Sequence, residues 1–233
     1  MRKVTAATDI GRVRRRNEDS YALLPHDAYI VADGMGGHVA GEIASRTAVD
    51  TVRELLKGDG AEEELCRVIC EANRRIWRLA KSYPEYAGMG TTVTILRLKG
   101  SRAFWAHVGD SRLYLLREGR LQQITTDHSL VASLLAKGSI TPEEAEHHPQ
   151  KNVLLRAVGV DAGVQVDSGS FDVRPEDSFL LCSDGLTNMV PQDRICQCLM
   201  DGQGRDKAKE LVEQTLAAGG TDNVTAIVVE RDA

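Results

Sequence analysis

Four aspartates stand where a carboxylate has to be paired or neutralised. Asp33 follows the apolar run Tyr29-Ile30-Val31-Ala32 and precedes Gly34, and Asp110 follows Phe104-Trp105-Ala106-His107-Val108-Gly109. Asp184 follows Phe179-Leu180-Leu181-Cys182-Ser183 and precedes Gly185; Asp222 follows Gly219-Gly220-Thr221 and opens Asn223-Val224-Thr225-Ala226-Ile227-Val228. Each is an acid at the end of an apolar strand-like segment, beside or near a glycine. An ionised carboxylate withdrawn from water is costly unless something pairs with it. The four cannot pair with one another, because like charges raise each other's pKa. Hard divalent cations resolve the conflict, and oxygen-only donors select Mg²⁺, Mn²⁺ or Ca²⁺ over zinc. The glycines let backbone approach closely and can offer a carbonyl as a further ligand. A turn at a strand end would account for any one such aspartate, and it is the reading taken for Asp9, Asp27, Asp127 and Asp161.

Two further segments carry candidate chemistry. Arg14-Arg15-Arg16-Asn17-Glu18-Asp19 precedes a strand. If extended, it turns Arg14 and Arg16 to one face. A guanidinium there binds phosphate bidentately, and Glu18 and Asp19 can reach water on a metal; a solvated basic loop is the plain alternative. Asp33-Gly34-Met35-Gly36-Gly37-His38-Val39-Ala40-Gly41 joins a strand to a helix. It lacks the Gly-Lys-Ser/Thr and G-x-G-x-x-G orders of nucleotide loops, so a tight turn around Asp33 is the simpler account. His38 is the histidine nearest these acids and is a candidate proton donor to a leaving group, with a helix cap or a solvent-facing side chain as alternatives. His107 lies in a strand and reads as structural, while His128, His147 and His148 form no metal motif. The apolar helix stripes, Trp77 and Trp105 read as core.

The elements that must position these residues follow from periodicity. Strands are predicted over Ser20–Leu24 and Ala28–Ala32 with Pro25-His26-Asp27 as the turn between them, then over Thr91–Leu98, Arg102–Val108, Arg112–Arg117 and Leu121–Thr125. Lys99-Gly100-Ser101 and Glu118-Gly119 are hairpin turns, which makes the neighbouring strands antiparallel. Helices are predicted over Gly41–Leu56 and Glu62–Lys81, where apolar residues recur with a 3.6-residue period. Thr141-Pro142-Glu143-Glu144 starts a short helix with a capping box in an otherwise irregular, polar segment from Asp127 to about Gln165. A strand over Ser178–Cys182, helices at about Pro191–Leu199 and Asp206–Leu216, and a strand over Asn223–Val229 complete the pattern. Strands in blocks and helices in blocks argue an α+β fold, sheet packed on sheet with helices outside.

The bulk properties narrow the function class. The chain has 233 residues, 42% hydrophobic and 27% charged, with a net charge of -5. This is expected to form one domain over residues 1–233 and gives no sign of a nucleic-acid or membrane surface. No apolar run is long enough to span a bilayer, and no secretory h-region follows Met1. The five cysteines (Cys66, Cys70, Cys182, Cys196, Cys198) lack paired zinc-site spacings, so reduced cytosolic thiols are expected. Cys182 has no arginine six residues on, which argues against a C-x₅-R cysteine phosphatase.

Seven segments, in order along nearly the whole chain, are similar to those of one family. They are Arg-Arg-Arg-Asn-Glu-Asp-Ser (14–20), Ala-Asp-Gly-Met-Gly-Gly-His (32–38), Met-Gly-Thr-Thr (89–92), His-Val-Gly-Asp-Ser-Arg (107–112), Thr-Asp-His-Ser-Leu (126–130), Leu-Cys-Ser-Asp-Gly-Leu (181–186) and Gly-Gly-Thr-Asp-Asn-Val-Thr (219–225). Together they resemble the PPM-type (type 2C) metal-dependent protein serine/threonine phosphatases in their compact bacterial form.

The resemblance implies an antiparallel β-sandwich flanked by helix pairs, a four-layer α-β-β-α arrangement. It implies two Mn²⁺ or Mg²⁺ ions, with a third, weaker one. Asp33 would bridge two ions with the Gly34 carbonyl on one of them, and Asp184 and Asp222 would hold the other. Asp110 would bind the third together with Asp184, Glu18 and Asp19 would act through water, and Arg14 would bind phosphate. Residues 127–165 would form a flap that influences substrate choice. The activity implied is hydrolysis of phosphoserine and phosphothreonine by a metal-activated water, without a covalent intermediate. The partners would be phosphorylated proteins made by a serine/threonine kinase, and the expectation is a cytoplasmic monomer. Eukaryotic members carry a histidine directly after Asp-Gly; here that position is Met35, which leaves His38, a water on the metal or bulk solvent as the proton donor. A phosphohydrolase of small phosphate esters and a non-catalytic phosphoprotein-binding relative are the rival readings.

Overall fold

Tight hairpins set the strand registers. The computed structural model describes residues 2–36, 40–57, 61–201 and 205–231. β1 (Arg2–Asp9) is followed by β2 (Asp19–Leu24) and β3 (Ala28–Met35), which meet across a turn where His26 has φ 62° and Asp27 φ 53°. Positive φ at the last two of the three turn residues accommodates the right-handed twist of the flanking strands. The same device joins β7 (Arg112–Arg117) to β8 (Arg120–Gln123), with φ 52° at Glu118 and 73° at Gly119. α1 (Ala40–Leu55), α2 (Glu62–Ser82), β4 (Gly90–Thr91), β5 (Val93–Lys99) and β6 (Arg102–Val108) lie between them. The rest is α3 (Leu130–Ala136), α4 (Pro142–Glu146), β9 (Asp167–Asp172), β10 (Ser178–Cys182), α5 (Asp184–Thr187), α6 (Gln192–Met200), α7 (Lys207–Ala217) and β11 (Val224–Arg231).

All pairings between these strands are antiparallel. One sheet runs β1-β11-β10-β7-β8 and the other β2-β3-β5-β6-β9, with β4 attached to β3. Alternate residues of each strand point to opposite faces, so each sheet fills two cores. Leu96, Leu98, Leu113, Phe179, Leu181 and Ile227 pack between the sheets. On the outer face of the second sheet, Ile30 and Ile95 pack under Ala44, Val52, Leu65 and Ile69 of α1 and α2. On the outer face of the first, Leu180, Ala226 and Val228 pack under Ile195 of α6 and Leu211 of α7. Helix pair, sheet, sheet, helix pair is the expected four-layer order. Each fully buried aliphatic side chain contributes roughly 1.5–3 kcal/mol.

The differences from the expected elements have local causes. β1 and β9 were not foreseen: both lie at sheet edges and no residue in either is fully buried, so backbone pairing rather than an apolar pattern defines them. The strand expected over Thr91–Leu98 breaks at Thr92, which receives the Asp33 N–H on Oγ1 (2.9 Å) and donates its own N–H to the Asp33 carbonyl (2.8 Å). Residues 127–165, expected to be irregular apart from one helix, also contain α3; the capping box at Thr141 forms as expected. Trp77 and Trp105 are half-buried rather than core. Trp105 packs under Gly169 of β9, where a Cβ would come to 3.0 Å from the indole ring.

Candidate functional site

The sheet registers bring the acids to one end of the sandwich. Asp19 opens β2 and pairs in register with Asp33 near the end of β3. Asp110 lies between β6 and β7, Asp184 begins α5 directly after β10, and Asp222 precedes β11. Cys182 of β10 stands opposite both Arg112 and Ala226, so the ends of β7, β10 and β11 share one edge, and the Ser183 and Thr225 hydroxyls bonded to Asp19 bring the β2–β3 end against it. Asp33 lies within a strand and Asp184 at a helix start, rather than each simply following a strand.

Their electrostatics show that they form a single cluster. Burial, followed by the charges of Asp19, Asp184 and Asp110, holds the Asp33 carboxyl well above the usual range. Burial and then Asp184 and Asp127 push Asp110 up to about 8, against the pull of Arg112. Asp184 is raised by burial and Asp222, and is partly relieved by hydrogen bonds with Asp33 and Asn188. Asp33, Asp110 and Asp184 are densely surrounded by protein yet keep an opening to solvent, so a ligand can reach them. Groups raised in the fold favour folding at low pH and lose that contribution as pH rises through the folded value. The chain without a counter-charge is therefore strained at neutral and alkaline pH.

Asp19 is the deepest of the group, at 8% exposure. Its Oδ2 accepts the Ser183 hydroxyl (2.7 Å) and the Thr225 hydroxyl (2.6 Å), both from the opposite sheet. Its Oδ1 is buried with no partner among the described residues. Burial outweighs the two hydrogen bonds and pushes this carboxyl up to about 7. Glu18 is half-buried, raised by desolvation and pulled back by Arg14. Gly34 donates to the Glu18 carbonyl (3.1 Å), and a Cβ at Gly34 would collide with the Gly41 and Glu18 carbonyls. Glycine is therefore what allows β2, β3 and the start of α1 to meet here.

Arg14 Nη2 donates to Asp222 Oδ2 at 2.7 Å. Arg16 stands 4.0 Å from Glu42, so the two arginines engage different partners. His38 lies outside the described residues. Asp9 is the turn residue expected, accepting the Gly11 N–H at 2.8 Å.

Two supports were not legible beforehand. Asn223, buried at 5% exposure, donates to the carbonyls of Ile10 (2.9 Å) and Arg16 (2.8 Å) and accepts the Glu18 N–H (2.8 Å). It thereby fixes the loop that carries Arg14. On the other side, His128 receives the Gly109 N–H on Nδ1 (3.1 Å) and donates its backbone N–H to the Gly109 carbonyl (2.7 Å). With Nδ1 accepting, Nε2 carries the proton and faces Asp167 (3.1 Å). Asp127 forks onto Arg112, with bonds of 2.6 and 3.0 Å, and so does more than make a turn. Both supports lie in segments that the resemblance had picked out, Thr-Asp-His-Ser and Thr-Asp-Asn-Val, without assigning them a role.

The donor set is what hard divalent cations take: clustered carboxylates and the buried, unpartnered Oδ1 of Asp19. Among the described residues no three His, Cys, Asp or Glu side chains enclose a metal by themselves. Mg²⁺ usually completes its coordination with several waters. The residues fit such ions.

Comparison with known proteins places this architecture. A family model described as protein phosphatase 2C matches residues 12–225. The serine/threonine phosphatase stp of Listeria monocytogenes is 43% identical over 237 residues, spanning 97% of this chain and 94% of that protein. The serine/threonine protein phosphatase PstP of Mycobacterium tuberculosis is 38% identical over 98% of this chain and 45% of its own length. The crystal structure of M. tuberculosis PstP/Ppp aligns with a TM-score of 0.93 at 37% identity, covering 100% of this chain and 99% of that one. The catalytic domain of PstP in complex with two manganese ions aligns with a TM-score of 0.90 at 36% identity, covering 100% and 99%. With sequence, fold and family model in agreement over almost its whole length, the chain belongs to the protein phosphatase 2C family.

Proposed function

We propose that this chain is a protein serine/threonine phosphatase that hydrolyses phosphoserine and phosphothreonine with the help of Mn²⁺ or Mg²⁺. The observation that carries the reading is the single acid cluster, in which burial and mutual repulsion raise Asp33, Asp110, Asp184 and Asp19 together. Asp33, the Gly34 carbonyl, Asp184 and Asp222 would hold two ions, Asp110 with Asp184 a third, and Glu18 and Asp19 would act through water. Two manganese ions are present in the PstP complex, which supports this assignment. When bound, such ions supply Lewis acidity toward the phosphoryl oxygens and make a water nucleophilic at neutral pH.

The remaining chemistry belongs to the chain. Arg14 spends one nitrogen on Asp222 and keeps further N–H groups to orient the phosphoryl oxygens. Asp222 in turn orients Arg14. No thiol competes as nucleophile at this end: Cys182 is buried, and burial pushes its thiol up to about 12. The residue six on from it is Asn188, so no cysteine–arginine phosphate loop exists. The hydroxyls of Ser183 and Thr225 are committed to Asp19. Water is taken as the attacking group, with no phospho-enzyme formed.

The same reading takes residues 1–233 as one catalytic domain with a flap at 127–165, acting as a cytoplasmic monomer. Its substrates are phosphorylated proteins, the products of phosphoryl transfer to serine or threonine by a kinase. No helix among the described residues is long and apolar enough to cross a membrane, which is compatible with that setting.

The test is phosphate release from a phosphothreonine peptide and from p-nitrophenyl phosphate, with and without MnCl₂, with Asp222→Ala as control. Release that needs Mn²⁺ and is lost in the variant is expected. A folded protein releasing nothing from either substrate in Mn²⁺ would sink the reading.

A further inference from the structure

A cavity of about 610 Å³ opens between the flap helices and the segment that follows α5. Asp110 and Asp184 lie in its lining, so it is continuous with the acid cluster. Val131 and Leu135 of α3 and Met189 and Pro191 after α5 contribute apolar surface to a lining that is polar in its larger part. The volume is typical of a ligand site and much larger than a phosphoryl group needs.

The apolar side chains of α3 are only partly covered by the chain itself. α3 reads Leu-Val-Ala-Ser-Leu-Leu-Ala, yet none of its residues is buried, and Leu135 is 36% exposed. α2, by contrast, buries Leu65, Val68, Ile69, Ala72 and Ile76. Apolar area left in water forgoes about 25 cal/mol per Å², so a half-covered apolar helix beside a reaction centre is most economically explained by an occupant that completes its burial. The occupant follows from position. A phosphorylated chain whose phosphoresidue sits at the acid cluster must run past Asp110 and Asp184. Its neighbouring side chains, about 3.3 Å apart along an extended backbone, come within reach of the cavity.

We infer that this cavity is a subsite for a bulky aliphatic side chain flanking the phosphoresidue, which makes the enzyme prefer phosphoproteins with Leu, Ile or Met beside the phosphorylated residue. The inference rests on the phosphatase reading of the acid cluster. The occupant is taken as aliphatic because Val131, Ala132, Leu135, Met189, Val190 and Pro191 give a largely polar lining much of its apolar part; Arg112, His147 and Lys151 in the same lining make an acidic side chain the direct competitor.

The experiment compares kcat/KM for phosphothreonine peptides in which Leu or Asp is placed in turn at each of the three positions on either side of the phosphoresidue, with p-nitrophenyl phosphate as a small reference, all in Mn²⁺. The wild type is expected to favour Leu over Asp at one position by about tenfold, the ratio that partial burial of such a side chain gives. Leu135→Asp should bring that ratio near unity while leaving kcat/KM for p-nitrophenyl phosphate unchanged. Ala132→Phe, which fills the cavity from the same helix, should do likewise and guards against a folding defect in the first variant. Equal rates for Leu and Asp peptides, a preference for Asp, or a Leu preference that survives both substitutions would overturn the subsite while leaving the phosphatase assignment standing. Failure to hydrolyse p-nitrophenyl phosphate would instead overturn the reaction, and the subsite with it.

Discussion

α1 and α2 on one side, and α3 and α4 on the other, are both helix pairs beside the same acids, and they are built to opposite ends. The first pair seals the outer face of a sheet, with Ala44, Ala48, Val52, Ile69 and Ile76 wholly removed from solvent. The second carries a comparable share of apolar residues and buries none of those in α3. Where the helix face meets the chain's own sheet it contributes stability. Where it meets a cavity opening onto Asp110 and Asp184 it remains available to a ligand. Binding surfaces are drawn from the low-stability parts of a fold for this reason.

That contrast can be broken in a graded way. The largest effect belongs to the acids: Asp184→Ala is expected to lower Mn²⁺-dependent turnover by about 10³-fold or more with the far-UV circular dichroism unchanged. Retained activity would remove Asp184 from the site. Next, Ile69→Ala in α2 should cost about 2–5 kcal/mol by urea unfolding, whereas Leu135→Ala in α3 should cost less than about 1 kcal/mol. Equal costs would mean that α3 is core after all.

A third substitution tests how the loop that carries Arg14 is held. Asn223→Ala would leave the carbonyls of Ile10 and Arg16 and the Glu18 N–H without their partner. It is expected to cost about 1–3 kcal/mol and to lower kcat/KM by roughly tenfold through Arg14, with Mn²⁺ binding less affected. An unchanged kcat/KM would show that Arg14 needs no such support.

The smallest effect concerns pH. His107 is buried, bonds Thr94 Oγ1 at 2.9 Å through Nδ1, and has its ring centroid 4.9 Å from that of His128. Burial and then the His128 charge push it down to about 4. A histidine lowered in the fold contributes fully above its unfolded pKa of about 6.5, and that contribution is lost as pH falls toward 4. Between pH 7 and 4 the wild type should therefore lose more Tm than His107→Gln, a comparison in which the acid cluster cancels. Parallel profiles would contradict the neutral, buried assignment.

What the sequence disclosed divides along the same line. Where burial is two-sided or strictly periodic, residue types report the element: β6, β7 and β10 have the bounds that their apolar runs suggest, and the Thr141 capping box marks the start of α4. Edge strands such as Asp167–Asp172 are held by backbone pairing with β6, which leaves little trace in side-chain type. α3 has an apolar pattern with no core to explain it. At the site, the strand-end aspartates were visible because each interrupts an apolar run. That Asp19 is gripped by Ser183 and Thr225 was not, nor that Asn223 ties down residues 10–18, because these contacts join segments more than 150 residues apart. His38, the candidate proton donor, lies outside the described residues, and its assignment rests on the sequence.

The central claim is that acids gathered from distant segments repel one another until cations hold them. Thermal unfolding of the wild type and Asp33→Asn at pH 8, each in EDTA and in saturating MnCl₂, measures this most directly. In EDTA the variant should unfold at a higher temperature than the wild type, because one repelling charge is gone. In Mn²⁺ the wild type should gain about 3 kcal/mol at a hundredfold excess over Kd, and the variant much less. A variant that is less stable in EDTA and gains as much from Mn²⁺ as the wild type would contradict the account.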